Sequence, residues 1–427
     1  MKTLIMLSED KPIWGSCISI RQNLLASYHL MELISLEVLP MKIENKGQAL
    51  FQAQDIFNRS PERIVFIDHQ PHPLLLLEQL SKLYSEKKLE DRPEVILHIY
   101  GDYIYDSEQW ILVEQHLMLF RVKFICASEA QMLLVRKSLS QKNICVTSPF
   151  PVDEKLFFYD ETKRKEARNQ LGLNDTEKVF LYTGRISRQK SIIDLSKILA
   201  DFMQDTGLDV TLLLAGSFDD LGVPYLNFFD GPNRYFTEVL KECLSLPENI
   251  KSRIRFLGHY DGQELSYVYN AADVFVSLSV HNDEDFGMAP AEAGMSGLPL
   301  ILSNWAGYKS FGFSLIDCCD FVSVKLEQNR YVVDYSRTKG LIGKRSAEIH
   351  DDGKRNLIST SFRKKFSIEA VAKNLEQIHN MSSDFFQGFE AEFKKEVMSS
   401  IRSGRPLFAN NVLVYNDFYR KLYDSYF

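Results

Sequence analysis

Two glutamates, Glu284 and Glu292, stand eight positions apart in the second half of the chain. Gly287 lies between them, at the turn where a short acidic loop after an apolar strand meets a helical pattern. Pro290 is in the first turn of that pattern, where proline costs little. Free N–H groups at a helix start attract an anion, and carboxylates beside an anion are repulsive unless they hold hydroxyl groups. The combination suits a sugar diphosphate; the alternative is a helix cap at Glu292 and a solvated acidic loop. The N–H groups concerned belong to Gly287, Met288 and Ala289.

A second group of candidates is cationic. Arg185 and Lys190 follow Gly184, at the point where an apolar strand pattern gives way to a helical one. Positive charge at a helix start is unfavourable for the helix itself, so an anion bound between the two cations would offset it. We therefore predict that Arg185 and Lys190 clamp a diphosphate, with Arg188 as a third, weaker candidate. The alternative is a set of solvated surface cations.

Short apolar strands alternate with helical segments through most of the chain, which is typical of α/β layers with parallel sheets. Two series of strands are predicted. The first comprises residues 3–7, 64–68, 95–100, 123–127 and 144–147, and the second comprises 178–183, 209–215, 254–257, 274–278 and 298–302. Ligands of open α/β sheets bind beyond the carboxyl ends of the strands. Both groups of candidate residues lie at such ends.

Prolines at 149 and 151 interrupt this rhythm and predict an interdomain hinge. We expect a Rossmann-like N-terminal domain over residues 1–150, a second Rossmann-like domain over 151–384, and a helical C-terminal segment over 385–427. Residues 328–354 carry many charges and no clean period, so they are predicted to form a loop or an inserted excursion of open role.

The composition narrows the class of protein. Of 427 residues, 45% are hydrophobic and 25% charged, which is typical of soluble globular chains, and the net charge of −7 argues against a nucleic-acid partner. The six cysteines form no Cys-x-x-Cys pair, which favours reduced thiols in a cytoplasm. The N-terminal apolar run is too short for a signal peptide, and no stretch approaches the roughly 20 apolar residues of a membrane span.

The second half resembles the nucleotide-sugar domain of retaining glycosyltransferases of the GT-B architecture, the family-4 group known as glycosyl transferases group 1. Five pieces in the family's order and spacing carry the resemblance over about 150 residues. They are Gly184-Arg185 with Lys190, Leu213-Leu214-Ala215-Gly216, Ile254–Gly258, residues 265–274, and the pair Glu284-x7-Glu292.

The resemblance implies an α/β fold of two Rossmann-like doubly wound domains facing across a cleft, with the C-terminal helix crossing back to the first domain. It implies that Arg185 and Lys190 bind the diphosphate, that Glu284 contacts the donor sugar near the reacting carbon, and that Glu292 holds the ribose. The backbone around Gly258 and Tyr260 would meet the base. The full implied donor-binding set is Gly15, Gly184, Gly258, Tyr260, Phe286, Gly287, Met288, Ala289 and Glu292.

The first half resembles the family through the strand that ends at His98, a histidine that in the family faces the donor sugar. His98 joins Glu284, Arg185 and Lys190 as an implied catalytic residue, and the alternative is a satisfied core histidine. Candidates on the acceptor side are His69, His72 and Asp102.

Three positions depart from the family pattern. The first loop has Gly15-Ser16 where the family usually has paired glycines. Ser191 follows Lys190 where glycine is common, and residues 304–308, Asn-Trp-Ala-Gly-Tyr, are a bulkier form of a glycine-rich turn. None of these departures removes an acidic or clamping side chain.

The sequence thus predicts a hexosyltransferase-like enzyme that moves a sugar from a nucleotide diphosphate donor to an acceptor hydroxyl with retention of configuration. The expected setting is surface polysaccharide or lipopolysaccharide synthesis in the cytoplasm, with a glycan, lipid-linked or protein acceptor; contact with the inner face of the membrane stays open. No bound cofactor and no metal are expected, although residues 283–285 form an Asp-x-Asp. The alternatives are a nucleotide-sugar epimerase or inverting transferase on the same fold, and a non-catalytic glycan- or nucleotide-binding subunit.

Overall fold

The computed structural model describes residues 2–8, 15–31, 35–67, 73–219, 234–282, 284–313, 317–327, 330–404 and 417–426. These residues form two compact units. The first unit contains the described residues up to Pro151 and those from Ile368 onward, and the second contains those from Val152 to Ser367.

The first unit has a six-stranded sheet in which all neighbouring strands run parallel, in the order β2-β1-β3-β4-β5-β6. Its inner strands are almost continuous apolar runs, as expected for parallel strands that are covered on both faces. The strands are β1 (Lys2–Ser8), β2 (Ser35–Met41), β3 (Arg63–Phe66), β4 (Glu94–Ile99), β5 (Arg121–Cys126) and β6 (Cys145–Thr147).

Helices surround this sheet. They are α1 (Gly15–His29), α2 (Lys46–Arg59), α3 (Leu74–Tyr84), α4 (Ser107–Leu117) and α5 (Glu129–Ser138), with α14 (Ile368–Asn380), α15 (Ala391–Ser403) and α16 (Asp417–Leu422) from the C-terminal part. Asn45 and Ser128 cap α2 and α5 by accepting a backbone N–H three residues ahead.

The second unit repeats the plan with a parallel sheet in the order β12-β11-β10-β7-β8-β9. A separate antiparallel hairpin, β13 with β14, follows the last of these strands. The strands are β7 (Lys178–Thr183), β8 (Val210–Ala215), β9 (Ile254–Gly258), β10 (Val274–Ser277), β11 (Leu300–Ser303), β12 (Cys319–Val322), β13 (Val324–Glu327) and β14 (Arg330–Val333).

The helices of the second unit are α6 (Glu161–Gln170), α7 (Ile192–Thr206), α8 (Arg234–Ser245), α9 (Glu248–Lys251), α10 (Gly262–Ala271), α11 (Met288–Met295), α12 (Tyr335–Ser346) and α13 (Asp352–Phe366). The apolar faces of α7, α8 and α12 pack with β7, β8 and β10 into one core. In the described part of residues 328–354, which were expected to form a loop or an inserted excursion, the chain forms β14 and α12 and begins α13 at Asp352, so this segment is not a loop.

The division of the chain is close to the expected one at the hinge and differs near the C-terminus. The units meet at Pro151 and Val152, next to the predicted boundary. The predicted second domain extends to residue 384, one helix beyond Ile368, where the chain enters the first unit. Only Ser367 separates α13 from α14, and no proline or glycine marks the transition.

Strand order fixes where a ligand site is expected in the second unit. From β7 the chain adds β8 and β9 on one side and then returns to add β10, β11 and β12 on the other. The order thus reverses between β7 and β10, and open α/β sheets bind ligands beyond the carboxyl ends of strands at such a point. Within the described ranges, no helix is long and apolar enough to cross a membrane.

Candidate active site

The reversal between β7 and β10 brings together the cation and the carboxylate that the sequence singled out. Lys190 Nζ forms an ion pair with Glu284 Oε1, and the two side chains are only 15% and 7% exposed. Ser279, just beyond β10, donates its hydroxyl to the same Glu284 oxygen at 2.7 Å. The Gly307 N–H donates to the Glu284 carbonyl at 2.7 Å. Glu284 is therefore fixed through both its side chain and its backbone.

The turn between Glu284 and α11 depends on glycine. Gly287 has φ of +107°, and a Cβ at this position would lie 2.7 Å from the Tyr308 ring. Gly287, the N-cap residue of α11, makes no side-chain cap bond, and the first N–H groups of a helix, here including those of Met288 and Ala289, have no acceptor within the helix itself. A Cβ on Gly307 would lie 2.4 Å from the Asp285 carbonyl oxygen. This approach holds the Glu284 loop against the turn that follows β11.

Glu292 lies on α11 and is buried, with 8% exposure. The Tyr269 hydroxyl donates to Glu292 Oε2 at 2.9 Å and lies 2.6 Å from Thr183 Oγ1 at the end of β7. Burial raises the pKa of Glu292 to about 7, since desolvation disfavours the charged carboxylate. Glu292 can thus exchange a proton near neutral pH.

Arg185 stands at the rim of the same sheet end. Its Nη1 donates to Asp219 at 2.7 Å, and its side chain is 27% exposed. The preceding Gly184 has φ of +130°, and a Cβ on the neighbouring Gly216 would lie 1.8 Å from the Gly184 carbonyl oxygen. Two glycines are therefore required for the backbones that follow β7 and β8 to meet.

Arg188 has a different environment. Its Nη2 donates to Glu238 at 2.6 Å, and its guanidinium lies 5.3 Å from the centre of the Tyr235 ring on α8. This placement does not join Arg188 to the Lys190–Glu284 pair.

Two implied donor-binding residues lie at the end of β9 and just beyond it, and a third is in the core. Gly258 has φ of +80°, and its carbonyl accepts the Gly216 N–H at 2.7 Å; Tyr260 is half-buried. The Phe286 ring is fully buried and lies 5.4 Å from both Phe311 and Phe366. Only the backbone of Phe286 is therefore available to a ligand.

His98 of the first unit is 1% exposed, and its Nε2 lies 2.8 Å from the Tyr28 hydroxyl. That hydroxyl is also 3.3 Å from Nε2 of His379 on α14. Burial lowers the pKa of His98 to about 3, which keeps the imidazole neutral. This is the position of a satisfied core histidine, the alternative that the sequence left open, and nothing in it presents the ring to a sugar.

Of the four remaining first-unit candidates, two lie among the described residues and two do not. Asp102 accepts the Ile104 N–H at 3.0 Å and the Tyr423 hydroxyl, so it caps the turn that precedes α4. Gly15 begins α1, and a Cβ there would meet nothing within 4 Å. His69 and His72 lie outside the described residues.

The part of the chain that contains this site is similar to a known protein family. Residues 163–311 match the model of the family described as glycosyl transferases group 1. The match covers every piece of the site built from β7 to the turn after β11.

Among curated relatives, the alpha-monoglucosyldiacylglycerol synthase of Streptococcus pneumoniae is 27% identical over 62% of this chain and 61% of its own length. The D-inositol 3-phosphate glycosyltransferase of Corynebacterium aurimucosum is 29% identical over 42% of this chain and 40% of its own length. The chain thus spans less than two thirds of these relatives.

Solved structures show the same fold over more of the chain. Anabaena Alr3699/HepE in complex with UDP matches with a TM-score of 0.63 at 13% identity, over 89% of this chain and 100% of the other. Sucrose-phosphate synthase from Thermosynechococcus elongatus matches with a TM-score of 0.61 at 17% identity, over 88% and 98%. These matches confirm the predicted GT-B fold class with two Rossmann-like α/β units, while the cleft between them stays a prediction.

Three residues of this site were missed by sequence reasoning. Ser279, Asp219 and Tyr269 hold Glu284, Arg185 and Glu292 respectively. Tyr269 lies within a recognised family stretch, and Ser279 lies at the end of a predicted strand. Their side-chain types were unremarkable there, and only the fold shows their partners.

Proposed function

We propose that the chain is a glycosyltransferase that moves a sugar from a nucleotide diphosphate donor to an acceptor hydroxyl. The observation that carries the proposal is the gathering of Lys190, Glu284, Arg185 and Glu292 at the β7–β10 reversal, inside the residues that match the group 1 family. The UDP in the HepE structure supports a nucleotide ligand for this fold.

The positive charges of the site would act on the leaving group of the reaction. When the bond to the anomeric carbon breaks, negative charge develops on the departing diphosphate. Lys190, Arg185 and the N–H groups of Met288 and Ala289 would stabilise this charge because they are held in place before the reaction begins. These groups meet the electrostatic need without a metal, so we propose metal-independent transfer.

The two carboxylates have separate roles in this proposal. Glu284 orients the donor sugar through its hydroxyls, with Ser279 fixing the carboxylate. Glu292 holds the ribose hydroxyls, and Tyr269 keeps it in position. We propose retention of configuration and assign no covalent nucleophile. His98 has no direct role here, because its ring is buried against Tyr28.

The acceptor is proposed as a hydroxyl group on a glycan, lipid-linked or protein acceptor. The name of the pneumococcal relative favours a lipid acceptor, such as diacylglycerol, among these. With such an acceptor, the enzyme would act in the cytoplasm and contribute to the synthesis of a surface glycolipid or polysaccharide.

Binding and transfer test the proposal. We expect one of UDP, GDP, ADP or CMP to give a calorimetric and thermal-shift response that survives EDTA and is lost in Lys190→Ala. Glu242→Ala, which removes a surface carboxylate paired to Lys197 at 3.1 Å, serves as a matched control and should bind normally. Folded protein that binds none of the nucleotides would contradict the proposal. The anomeric configuration of a transferred sugar, read by NMR, would decide between retention and inversion.

A further inference from the structure

The first unit has a cavity of about 940 Å³ at the amino ends of its strands. Arg63, Glu94 and Arg121, the first residues of β3, β4 and β5, line it together with the chain between α3 and β4 and the end of α14. Its volume is within the range of sites for small molecules. The cavity shares no residue with the proposed donor site, whose residues all belong to the second unit.

The buried charged side chains at the back of the cavity have partners within the protein. Glu94 accepts from Arg63 Nε at 2.7 Å and pairs with Lys123 at 2.9 Å. Lys123 also donates to the carbonyls of Ile378 and Met381, at the end of α14. This group stabilises the helix end and the sheet, and its charges need no ligand.

Three further cations of the cavity, Lys87, Arg92 and Arg121, differ from this group. In the part of the chain that the structure describes, none of the three has a carboxylate within ion-pair distance. Arg92 donates to the carbonyls of Ser85, Lys87 and Leu119, which fixes its guanidinium without neutralising it. Arg121 Nη2 donates to the Arg92 carbonyl at 3.3 Å, so the two arginines are adjacent.

Apart from the buried Glu94, the acidic residues of the cavity are Glu62, Glu90 and Asp91, and these three are exposed. Solvent and salt screen exposed charges much more than half-buried ones. Arg92 and Arg121 are half-buried, so the inner wall carries a net positive field while the acids lie at the rim.

The cavity wall also contains buried polar atoms that lack hydrogen-bond partners in the described part of the chain. Arg121 Nε and the Tyr84 hydroxyl are shielded from water and have no hydrogen-bond partner among the described residues. Each such group costs about 1–3 kcal/mol, so the polar groups behind this wall are incompletely satisfied by the described residues. Beside them, the Phe57 ring lies 5.0 Å from the Tyr84 ring and provides an apolar wall.

We propose that this cavity is a second ligand site that binds a small phosphomonoester. Its phosphate lies beside Arg121, whose guanidinium fork offers paired donors to phosphate oxygens. Arg92, whose N–H groups mostly hold backbone carbonyls, adds charge nearby, and Lys87 adds charge at the rim. The organic part of the ligand lies against Phe57 and Tyr84. A role confined to capping helix ends would explain Arg63 and Lys123, but it leaves Arg121 without a charge partner.

Calorimetry with glycerol 2-phosphate on the full chain tests this site. We expect binding to the wild type and to Arg185→Gln, which alters the donor site, and at least a tenfold loss in Arg121→Gln. Arg402→Gln removes an exposed arginine from the same unit and should bind like the wild type. Arg121→Lys keeps the charge without the fork and should be intermediate, and thermal unfolding of each variant shows that it is folded.

The opposite pattern would overturn the proposal: binding lost in Arg185→Gln and kept in Arg121→Gln, or no binding to folded wild type. Vesicles of phosphatidylcholine with and without phosphatidic acid distinguish the source of the phosphate. Sedimentation that requires phosphatidic acid and Arg121 would identify a lipid headgroup. Binding of glycerol 2-phosphate without sedimentation would identify a soluble metabolite. If neither probe depends on Arg121, the site is absent.

Discussion

Substituting Lys190 alone, or Lys190 and Glu284 together, should affect the stability of the protein and its affinity for a diphosphate in different ways. Both side chains are largely buried, at 15% and 7% exposure. Lys190→Ala leaves the Glu284 carboxylate buried, with the Ser279 hydroxyl as its described side-chain partner. Breaking a buried pair in this way destabilises by about 3–5 kcal/mol, because one charge stays desolvated and uncompensated.

Neutralising both members should reverse most of that loss. In Lys190→Ala/Glu284→Gln no charge is left buried, so we expect the free energy of unfolding to return to within about 1 kcal/mol of the wild type. Nucleoside diphosphate binding should stay at least tenfold weaker in the double variant, because the ammonium is still missing. The stability of the site and its affinity for a diphosphate would then be separated.

Urea unfolding of the second unit is the appropriate assay. Trp110 is in the first unit, and Trp305 is in the second, where its Nε1 donates to the His281 carbonyl at 2.8 Å. A background with Trp14→Phe and Trp110→Phe makes fluorescence report on Trp305 alone. Lys197→Ala breaks a surface pair that is 47% and 42% exposed and should change stability by no more than about 1 kcal/mol.

Two results would refute this reasoning. If Lys190→Ala unfolds at the same urea concentration as Lys197→Ala, the buried pair contributes nothing and the geometry of the site is wrong. If the double variant is no more stable than Lys190→Ala, the loss comes from packing of the lysine stem and not from the unpaired carboxylate.

Further outcomes concern Glu292 and two strained residues. Burial raises the pKa of Glu292 to about 7, so the folded state binds its proton more tightly than the unfolded state; the free energy of unfolding should therefore fall by up to about 3 kcal/mol as the pH rises through the window from the unfolded to the folded pKa. Urea titrations across this window should show the fall in the wild type and not in Glu292→Gln, and equal slopes would contradict the assignment. Nucleoside diphosphate affinity should rise over the same window in the wild type relative to Glu292→Gln, since donor hydroxyls favour the ionised carboxylate. Ser191→Gly and Ala306→Gly should each keep or raise the thermal midpoint, because φ values of 53° and 47° cost a residue with a side chain about 1–2 kcal/mol. Ser191→Ala, which keeps the strain, is the control for the first substitution; a lower midpoint for either glycine variant would show that the side chain has a packing role.

Most strands could be predicted because parallel strands are nearly continuous apolar runs. β7 was predicted at its observed bounds, and the other predicted strands overlap observed ones. β2 was missed because Pro40 interrupts its pattern. Proline is tolerated there since β2 is the outermost strand, paired only with β1. β12 was missed because it contains Asp320, whose charge is paired with Arg345 at 2.6 Å.

Site residues could be predicted where they lie in one short segment whose place in the fold is itself evident from the sequence. Glu284, Gly287 and Glu292 lie in one strand–turn–helix stretch, so their meeting with the carboxyl end of β7 follows from the fold class alone. His98 shows the limit. Its neighbours Tyr28 and His379 are far away in sequence, and no local pattern could say that they close around the ring.

Ser191 and Ala306 show how the departures from the family pattern are accommodated. Ser191 stands where the resembling family commonly has glycine, and Ala306 lies in the bulkier form of the family's glycine-rich turn. Both have the left-handed backbone conformation that a glycine would supply, at φ of 53° and 47°. The conformation is therefore imposed by the fold. Ser191 lies between Lys190 and α7, and Ala306 precedes Gly307, whose N–H holds the Glu284 carbonyl. Each strained residue thus adjoins a residue that takes part in or holds the buried ion pair, Lys190 in one case and Gly307 in the other. Relieving the strain at either position should leave the backbone path through the site unchanged.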